Sequence, residues 1–189
     1  MRKLKLQVQI SVDGFIAGPH GDMNWMTFDW DKDLSQYVQA ITDPIDCIVL
    51  GRKLAEGFIP HWAAVAADRE HPEFAAGQQF SETPKVVFTR TLDRSQWPNT
   101  VLAKGDLVDE IVRLKSQAGS DIIAYGGASF VSALIHHDLI DEYHLFVNPV
   151  ALGAGMPIFK ALDSARRLVL ETSTTFPCGI VLLRYHKAP

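Results

Sequence analysis

Several features that would direct a protein to a membrane, to export or to nucleic acid are missing from this chain of 189 residues. No apolar run approaches the roughly 18 residues that a membrane-spanning helix needs. No segment is rich in lysine or arginine, and the net charge is −4, so a broad basic surface for nucleic acid is not expected. The basic N-terminus runs into an alternating, strand-like pattern instead of the apolar stretch of a signal peptide. We therefore expect a cytoplasmic protein without a membrane or nucleic-acid partner.

Cysteine is equally scarce. Cys47 and Cys178 both stand in apolar, strand-like surroundings, which favours free thiols in a reducing compartment, with a disulfide as the alternative. His136 and His137 are adjacent on a predicted helix and point in different directions, so we predict no metal site there.

What the sequence does contain is an alternation of short apolar runs and helical patterns. Strands are predicted over residues 4–10, 46–50, 85–89, 101–103, 121–125, 142–150, 169–175 and 180–186. Helices are predicted over residues 33–41, 52–57, 107–117 and 129–136, whereas residues 59–83 give no clear pattern apart from an alanine-rich part that is compatible with a helix. We infer one α/β domain over residues 1–189, with a mostly parallel sheet and an antiparallel hairpin at the end.

Three predicted strands end in residues suited to binding an anion. Gly51 is followed by Arg52 and Lys53, and the next strand ends at Thr89 and Arg90. In open α/β sheets ligands lie at the carboxyl ends of the strands, so these residues are expected to share one site with the glycines after residue 125. Three cations beside a nucleotide favour a 2′-phosphate, as in NADPH. The structural alternative is a tight turn followed by surface cations.

Gly126 and Gly127 come next and precede a predicted helix. Paired glycines let the backbone approach a charged ligand, and the helix N-terminus would point at a phosphate. The G-x-G-x-x-G fingerprint of classical dinucleotide folds is absent both here and at Gly153-Ala154-Gly155.

Seven short motifs occur in a characteristic order: residues 11–18 (SVDGFIAG), 22–25 (DMNW), 50–53 (LGRK), 88–90 (FTR), 125–128 (YGGA), 139–143 (LIDEY) and 149–153 (PVALG). In this order and spacing they resemble the reductase domain of bacterial riboflavin biosynthesis, a branch of the dihydrofolate-reductase-like fold. The resemblance covers nearly the whole chain. It implies a three-layer α/β fold with about eight strands in the central sheet, NADPH as the hydride donor and often a homodimer.

The resemblance also implies roles for particular residues. Ile16 and Ala17 would flank the nicotinamide, and Thr89 and Arg90 would bracket the adenosine end. The phosphates would be held by two sets: Gly51, Arg52, Lys53 and Leu54, and Gly126, Gly127, Ala128, Ser129 and Phe130. The residues predicted to line the substrate site are Gln9, Trp25 and Tyr125.

The chain departs from the family pattern at two points. The zinc-deaminase signature, H-x-E with P-C-x-x-C, is absent, because Val181 stands where the second cysteine after Cys178 would be. The acidic group that would assist protonation is ambiguous. Asp29 and Asp31 are the candidates, but aspartates here also suit helix caps and first-turn charges.

We therefore expect an NADPH-dependent reductase acting on a small heterocyclic or ribosylamino-pyrimidine substrate. Two alternatives stay open: a dihydrofolate reductase proper, and a dimeric nucleotide-binding protein without turnover.

Overall fold

An eight-stranded sheet forms the centre of the computed structural model, which describes residues 1–160 and 162–188. Eight of the described strands form this sheet, and β2 and β8 form a separate small sheet. The strands are β1 (Leu4–Ile10), β2 (Phe15–Ala17), β3 (Ile45–Gly51), β4 (Lys85–Phe88), β5 (Thr100–Ala103), β6 (Asp121–Ala124), β7 (Glu142–Val147), β8 (Met156–Pro157), β9 (Leu168–Thr175) and β10 (Val181–Lys187). The helices are α1 (Lys32–Thr42), α2 (Arg52–Ala67), α3 (Phe74–Glu82), α4 (Leu107–Ser116) and α5 (Ala128–His136).

The order of the strands is β5-β4-β3-β6-β1-β7-β10-β9. The six strands from β5 to β7 pair in parallel, and β10 runs antiparallel to both β7 and β9. This arrangement confirms the predicted mostly parallel sheet with an antiparallel C-terminal hairpin.

Helices cover both faces of the sheet because side chains alternate along each strand. On one face Leu6 and Val8 of β1 pack in a cluster with Ile111 of α4 and Leu134 of α5. On the other face, which we call the α1–α3 face, Leu50 packs in a cluster with residues of α2 and α3. Phe146 of β7 packs there beside Leu34 of α1. The result is a three-layer fold.

Several features differ from the sequence-based prediction. The helix predicted over residues 52–57 extends to Ala67 and contains Pro60. Proline removes one helical hydrogen bond, but Ile59 before it packs in a cluster with residues of the sheet, and Val65 after it is buried next to Gly77 of α3. The second difference is a small sheet of β2 and β8, which lies in segments where no strand was predicted.

The strand predicted over residues 142–150 is shorter than expected. It ends at Val147, and Pro149 two residues later has no N–H to continue a ladder. Cys47 and Cys178 are both free thiols, as predicted. In the part of the chain that the structure describes, no helix is long and apolar enough to cross a membrane.

Candidate functional site

Two helices begin side by side at the carboxyl edge of the sheet with glycine N-caps. Gly51 ends β3 and caps α2, while Gly127 follows β6 and caps α5; among the described residues neither cap makes a side-chain hydrogen bond. By contrast, Asp31 and Asp106 cap α1 and α4 with their carboxylates. The first-turn N–H groups of α2 and α5 are therefore available to an external anion.

The connections around these two helices run in opposite directions. Strands β3 and β6 are neighbours in the sheet. From β3 the chain continues to β4, which lies toward the β5 edge, whereas from β6 it continues to β7, which lies toward the β9 edge. Such a reversal of strand order is where ligands bind in open α/β sheets.

Close contacts join the two glycine turns. A Cβ atom on Gly51 would lie 2.8 Å from Cβ of Phe130, so the first turn of α5 rests against the end of β3. Gly126 and Gly127 have φ values of +139° and +80°, which side-chain-bearing residues rarely adopt. Cβ atoms on these glycines would lie 3.7–3.8 Å from the Leu54 side chain. The structure thus brings these predicted cofactor residues together, and their contacts with a cofactor stay a prediction.

The predicted cations near the two glycine turns differ in pairing and exposure. Arg52 forms an ion pair of 2.5 Å with Glu56, one turn further along α2. Lys53 and Arg90 are exposed. The Thr89 hydroxyl oxygen accepts hydrogen bonds from the backbone N–H groups of Thr91 and Leu92 at 3.1 and 3.2 Å, so Thr89 also shapes its own turn.

A pocket of about 200 Å³ opens beside these residues. The residues that line it are Phe88, Thr89, Arg90, Ala103, Gly105, Leu107 and Phe130. Phe130 therefore borders both the glycine turns and this pocket, with its ring centroid 5.1 Å from that of Phe88.

Ile16 and Ala17, the residues predicted to flank a nicotinamide, lie in β2 and are buried. The chain folds back directly after β1, because the N–H of Ser11 donates to the carbonyl of Phe15 at 2.9 Å. The Asp13 carboxylate fixes this turn by accepting from the Ser11 hydroxyl and the N–H groups of Leu152 and Gly153, and these hydrogen bonds lower its pKa to about 2. The sequence analysis missed this role of Asp13, although residues 11–18 belong to a recognised motif.

Gln9, predicted as a substrate residue, belongs to a chain of amides at the end of β1. Its Oε1 accepts from Nδ2 of Asn148 at 2.8 Å, and Oδ1 of Asn148 accepts from the N–H of Thr27 at 2.9 Å. Asn148 is fully buried directly after β7. Its signal in the sequence is weak, namely one polar side chain near the end of an apolar strand.

Tyr125 and Trp25, the other two predicted substrate residues, have different surroundings: a stacked, buried ring and a loop. The Tyr125 ring stacks on Phe58 of α2 at 5.3 Å, and burial raises the pKa of its hydroxyl well above the usual range. The Trp25 indole N–H donates to the carbonyl of Asp22 at 3.2 Å within its own loop. A position of Trp25 next to a substrate therefore stays a prediction.

The two aspartates predicted to assist protonation are also unlike each other. Asp29 is exposed. Asp31 is the N-cap of α1, and its carboxylate accepts from the N–H of Leu34 at 2.9 Å and of Cys178 at 3.4 Å. The Leu34 hydrogen bond is the main cause of a lowered pKa for Asp31. The cap interpretation thus fits Asp31, because an ionised carboxylate is a poor proton donor.

A buried polar network on the α1–α3 face escaped the sequence analysis. His144 of β7 is inaccessible to solvent; its Nδ1 pairs with the Tyr37 hydroxyl at 2.8 Å and its Nε2 with Glu142 at 2.7 Å. Arg184 of β10 also donates to Glu142, at 3.1 Å. The hydrogen bond from His144, supported by Arg184, lowers the pKa of Glu142 to about 2, and burial raises the pKa of Tyr37 to about 12.

A larger cavity of about 500 Å³ lies at the opposite, amino edge of the sheet, where Cys47 and Asp46 line it. Its Arg2 side chain is already paired with Asp46. Within residues 1–160 and 162–188, no group of three or more histidine, cysteine or acidic side chains could hold a metal ion.

Known proteins resemble this chain along its full length. The family model described as the RibD C-terminal domain matches residues 2–182. The uncharacterized protein YyaP of Bacillus subtilis is 30% identical over 187 residues, which cover 98% of this chain and 95% of YyaP.

Solved structures share the fold. A protein of Shewanella sp. PV-4, provisionally named for riboflavin biosynthesis, aligns over 100% of both chains with a TM-score of 0.73 and 22% identity. The diaminohydroxyphosphoribosylaminopyrimidine deaminase/5-amino-6-(5-phosphoribosylamino)uracil reductase of Thermotoga maritima aligns with a TM-score of 0.70 and 18% identity, over 99% of this chain and 57% of that one. The predicted dihydrofolate-reductase-like fold is thereby confirmed.

Proposed function

The chain belongs to the RibD C-terminal domain family, and from this membership we propose that it is an NADPH-dependent reductase for a small ribosylaminopyrimidine-type heterocycle. Membership supports a riboflavin-biosynthesis reductase-like role, and one structural relative is named as a 5-amino-6-(5-phosphoribosylamino)uracil reductase. NADPH would supply the hydride, while the protein would bind both reactants, align them and exclude water.

The observation that carries the proposal is the meeting of two glycine-capped helix N-termini where the strand order reverses. Such a position offers backbone N–H donors and two positive dipole ends to a pyrophosphate. The residues present fit the cofactor, because Gly126 and Gly127 hold the backbone in positive-φ conformations without side chains in the way. Lys53 and Arg90 are the exposed cations that would select a 2′-phosphate.

The direct test measures the oxidation of NADPH in the presence of 5-amino-6-(5-phosphoribosylamino)uracil. The loss of nicotinamide absorbance reports the rate. We expect turnover that NADH supports poorly. NADPH binding without turnover on this substrate or on dihydrofolate would favour a nucleotide-binding protein without catalysis. Turnover of dihydrofolate alone would make the protein a dihydrofolate reductase.

Asp29 and Asp31 remain our candidates for handling the proton that accompanies the hydride. Asparagine at both positions tests them together. A large, pH-dependent fall in kcat would support an aspartate as the group that transfers the proton. Unchanged turnover would indicate that water supplies the proton.

We also propose a homodimer, in line with the family. Strand β9 is one of the two edges of the central sheet, and its Val169 and Leu170 are 40% and 51% exposed. Unprotected edges with exposed apolar residues tend to pair with another chain. Light scattering on eluted protein is expected to give twice the chain mass, and Leu170→Lys is expected to give the monomer.

A further inference from the structure

The small sheet of β2 and β8 carries Ile16 and Ala17, the two residues that we expect to flank the nicotinamide. Its two strands come from distant parts of the chain, and Ala17 of β2 pairs with Met156 of β8. The segments touch closely, because a Cβ atom on Gly155 would lie 2.9 Å from Cβ of Phe15 and would collide with the carbonyl oxygen of Ala17. The position of Ala17 therefore depends on where the chain before β8 lies.

The Asp13 carboxylate joins these two segments. One of its oxygens, Oδ2, accepts from the N–H of Gly153 at 2.7 Å and from the N–H of Leu152 at 3.1 Å. The other oxygen, Oδ1, accepts from the Ser11 hydroxyl at 2.6 Å. Because this hydroxyl donates to Asp13, its oxygen can accept, and it accepts from the N–H of Phe15 at 3.0 Å. These hydrogen bonds connect the chain before β8 to the first residue of β2.

The two turns that meet at Asp13 have an adaptable backbone. Gly14 and Gly153 have φ values of +86° and +73°, and Cβ atoms on them would meet no atom of the described residues within 4 Å. Glycine has wide conformational freedom, so these turns need a constraint from elsewhere to keep one shape. The N–H of Val12 donates to the carbonyl of Val150 at 2.8 Å, which keeps the two segments adjacent. The Asp13 carboxylate adds directional, charge-assisted hydrogen bonds that fix how the segments face each other.

The small sheet is also tied to α5, the helix that begins at the second glycine turn. Ser132 of α5 is buried, and its hydroxyl donates to the carbonyl of Ile158, directly after β8, at 2.8 Å. The separation between β2 and the glycine turns thus depends on β8 and on what holds β8 to β2. We propose that Asp13 is a positioning residue, which keeps β2 at the distance from the glycine turns that NADPH spans and so places the nicotinamide ring. The inference rests on the proposed reductase function and assigns to Asp13 an effect on the nicotinamide end alone.

The test compares two matched ligands by calorimetry: NADPH, and 2′-phospho-ADP-ribose, which keeps the phosphates and lacks the nicotinamide ring. We expect the wild type to bind NADPH about tenfold more tightly than 2′-phospho-ADP-ribose. Asp13→Ala is expected to lose this difference, while its affinity for 2′-phospho-ADP-ribose stays as in the wild type. Hydrogen exchange of the backbone N–H groups of residues 14–17 is expected to become faster in Asp13→Ala, because β2 is no longer held in one position.

Two further variants separate positioning from stability. Asp13→Asn keeps an oxygen for the N–H of Gly153 but removes the charge, so we expect it to keep only part of the difference between the ligands. It takes the place of Asp13→Ala if that variant does not fold. Asp46→Asn is the matched control, because the Asp46 carboxylate accepts from the N–H of Ser120 at 2.8 Å and pairs with Arg2 at the opposite, amino edge. It is expected to lower the free energy of unfolding and to leave the difference between the ligands as in the wild type.

The adverse outcomes are distinguishable. The role of Asp13 would be overturned if the folded Asp13 variants kept the full difference between the ligands, or if hydrogen exchange of residues 14–17 were unchanged. It would also be overturned if Asp46→Asn lost the difference to the same extent, because the effect would then follow stability, or if the wild type bound both ligands equally. In each of these cases the ligands still bind, so the proposed cofactor site would stand. Failure of both ligands to bind the wild type would contradict the proposed function, and the role of Asp13 with it.

Discussion

The two halves of the sheet differ in how they present polar groups at the carboxyl edge. In the half made of β3, β4 and β6, the available groups are backbone N–H donors at glycine turns, with Gly51 and Gly127 as helix caps. In the half made of β1, β7 and β10, they are the side-chain amides of Gln9 and Asn148, and a separate buried network around His144 lies closer to the amino edge. The first half offers donors that suit a charged group common to many nucleotides, whereas the second half uses its polar side chains mainly in hydrogen bonds with other parts of the protein.

This division predicts that substitutions in one half leave the function of the other intact. The largest effect is expected for His144→Leu, which removes the main hydrogen bond of the buried Glu142 carboxylate. Uncompensated buried charge is expensive, so we expect about 3 kcal/mol less free energy of unfolding in urea. Tyr37→Phe, which removes only the outer hydrogen bond of His144, is expected to cost about 1 kcal/mol. A parallel loss of NADPH affinity in folded His144→Leu would contradict the division.

Gly126→Val tests the other half. Its φ of +139° is unfavourable for a β-branched residue, so the turn must change shape. We expect NADPH affinity measured by calorimetry to fall about 100-fold, equivalent to about 2.7 kcal/mol. Gly57→Ala is the matched control, since a Cβ there meets no atom within 4 Å; it is expected to keep the affinity and to stabilise α2 by about 0.5–1 kcal/mol. Unaltered affinity in Gly126→Val would remove the glycine turn from the cofactor site.

The acid limb of the stability curve reports on Glu142. Its pKa is lowered in the folded state from 4.5 to about 2, so its contribution is complete above pH 4.5 and is lost as the pH falls toward about 2. We expect this contribution to be about 3 kcal/mol. Glu142→Gln is expected to make the decline of unfolding free energy below pH 4.5 shallower without abolishing it, because the pKa values of Asp13 and Asp31 are lowered as well. An identical slope in Glu142→Gln would show that Glu142 is not ionised in the buried network.

The smallest effects concern Asp31. Asparagine caps helices about as well as aspartate, so Asp31→Asn is expected to change the unfolding free energy by less than about 0.5 kcal/mol, whereas Asp31→Ala is expected to cost about 1 kcal/mol. Steady-state turnover is expected to survive in both variants if Asp31 acts only as a cap. A fall in kcat of Asp31→Asn at unchanged stability would restore its catalytic role.

The same two halves differ in how far the sequence predicts them. Gly51 and Gly126 follow apolar runs and precede helices, and this local pattern predicts both the turns and their position at one edge. The length of α2 was not predictable in this way, because its continuation past Pro60 depends on the burial of Ile59 against the sheet and of Val65 against α3.

Non-local pairing explains what was missed in the other half. Gln9 and Asn148 are 139 positions apart in sequence, and they meet because β1 and β7 are adjacent strands. Thr27 reaches Asn148 from a loop without a regular pattern. Nothing local in the sequence indicates the direction in which the Gln9 amide points.

The glycine turns and the cations around them are expected to bind NADPH in preference to NADH. A titration of the fluorescence of the four tryptophans with NADPH and with NADH tests this preference most directly. We predict that NADPH binds at least about tenfold more tightly, and that the double variant Lys53→Ala/Arg90→Ala loses this preference while NADH binding is unchanged. Absence of binding by both nucleotides would contradict the account and leave only the shared fold.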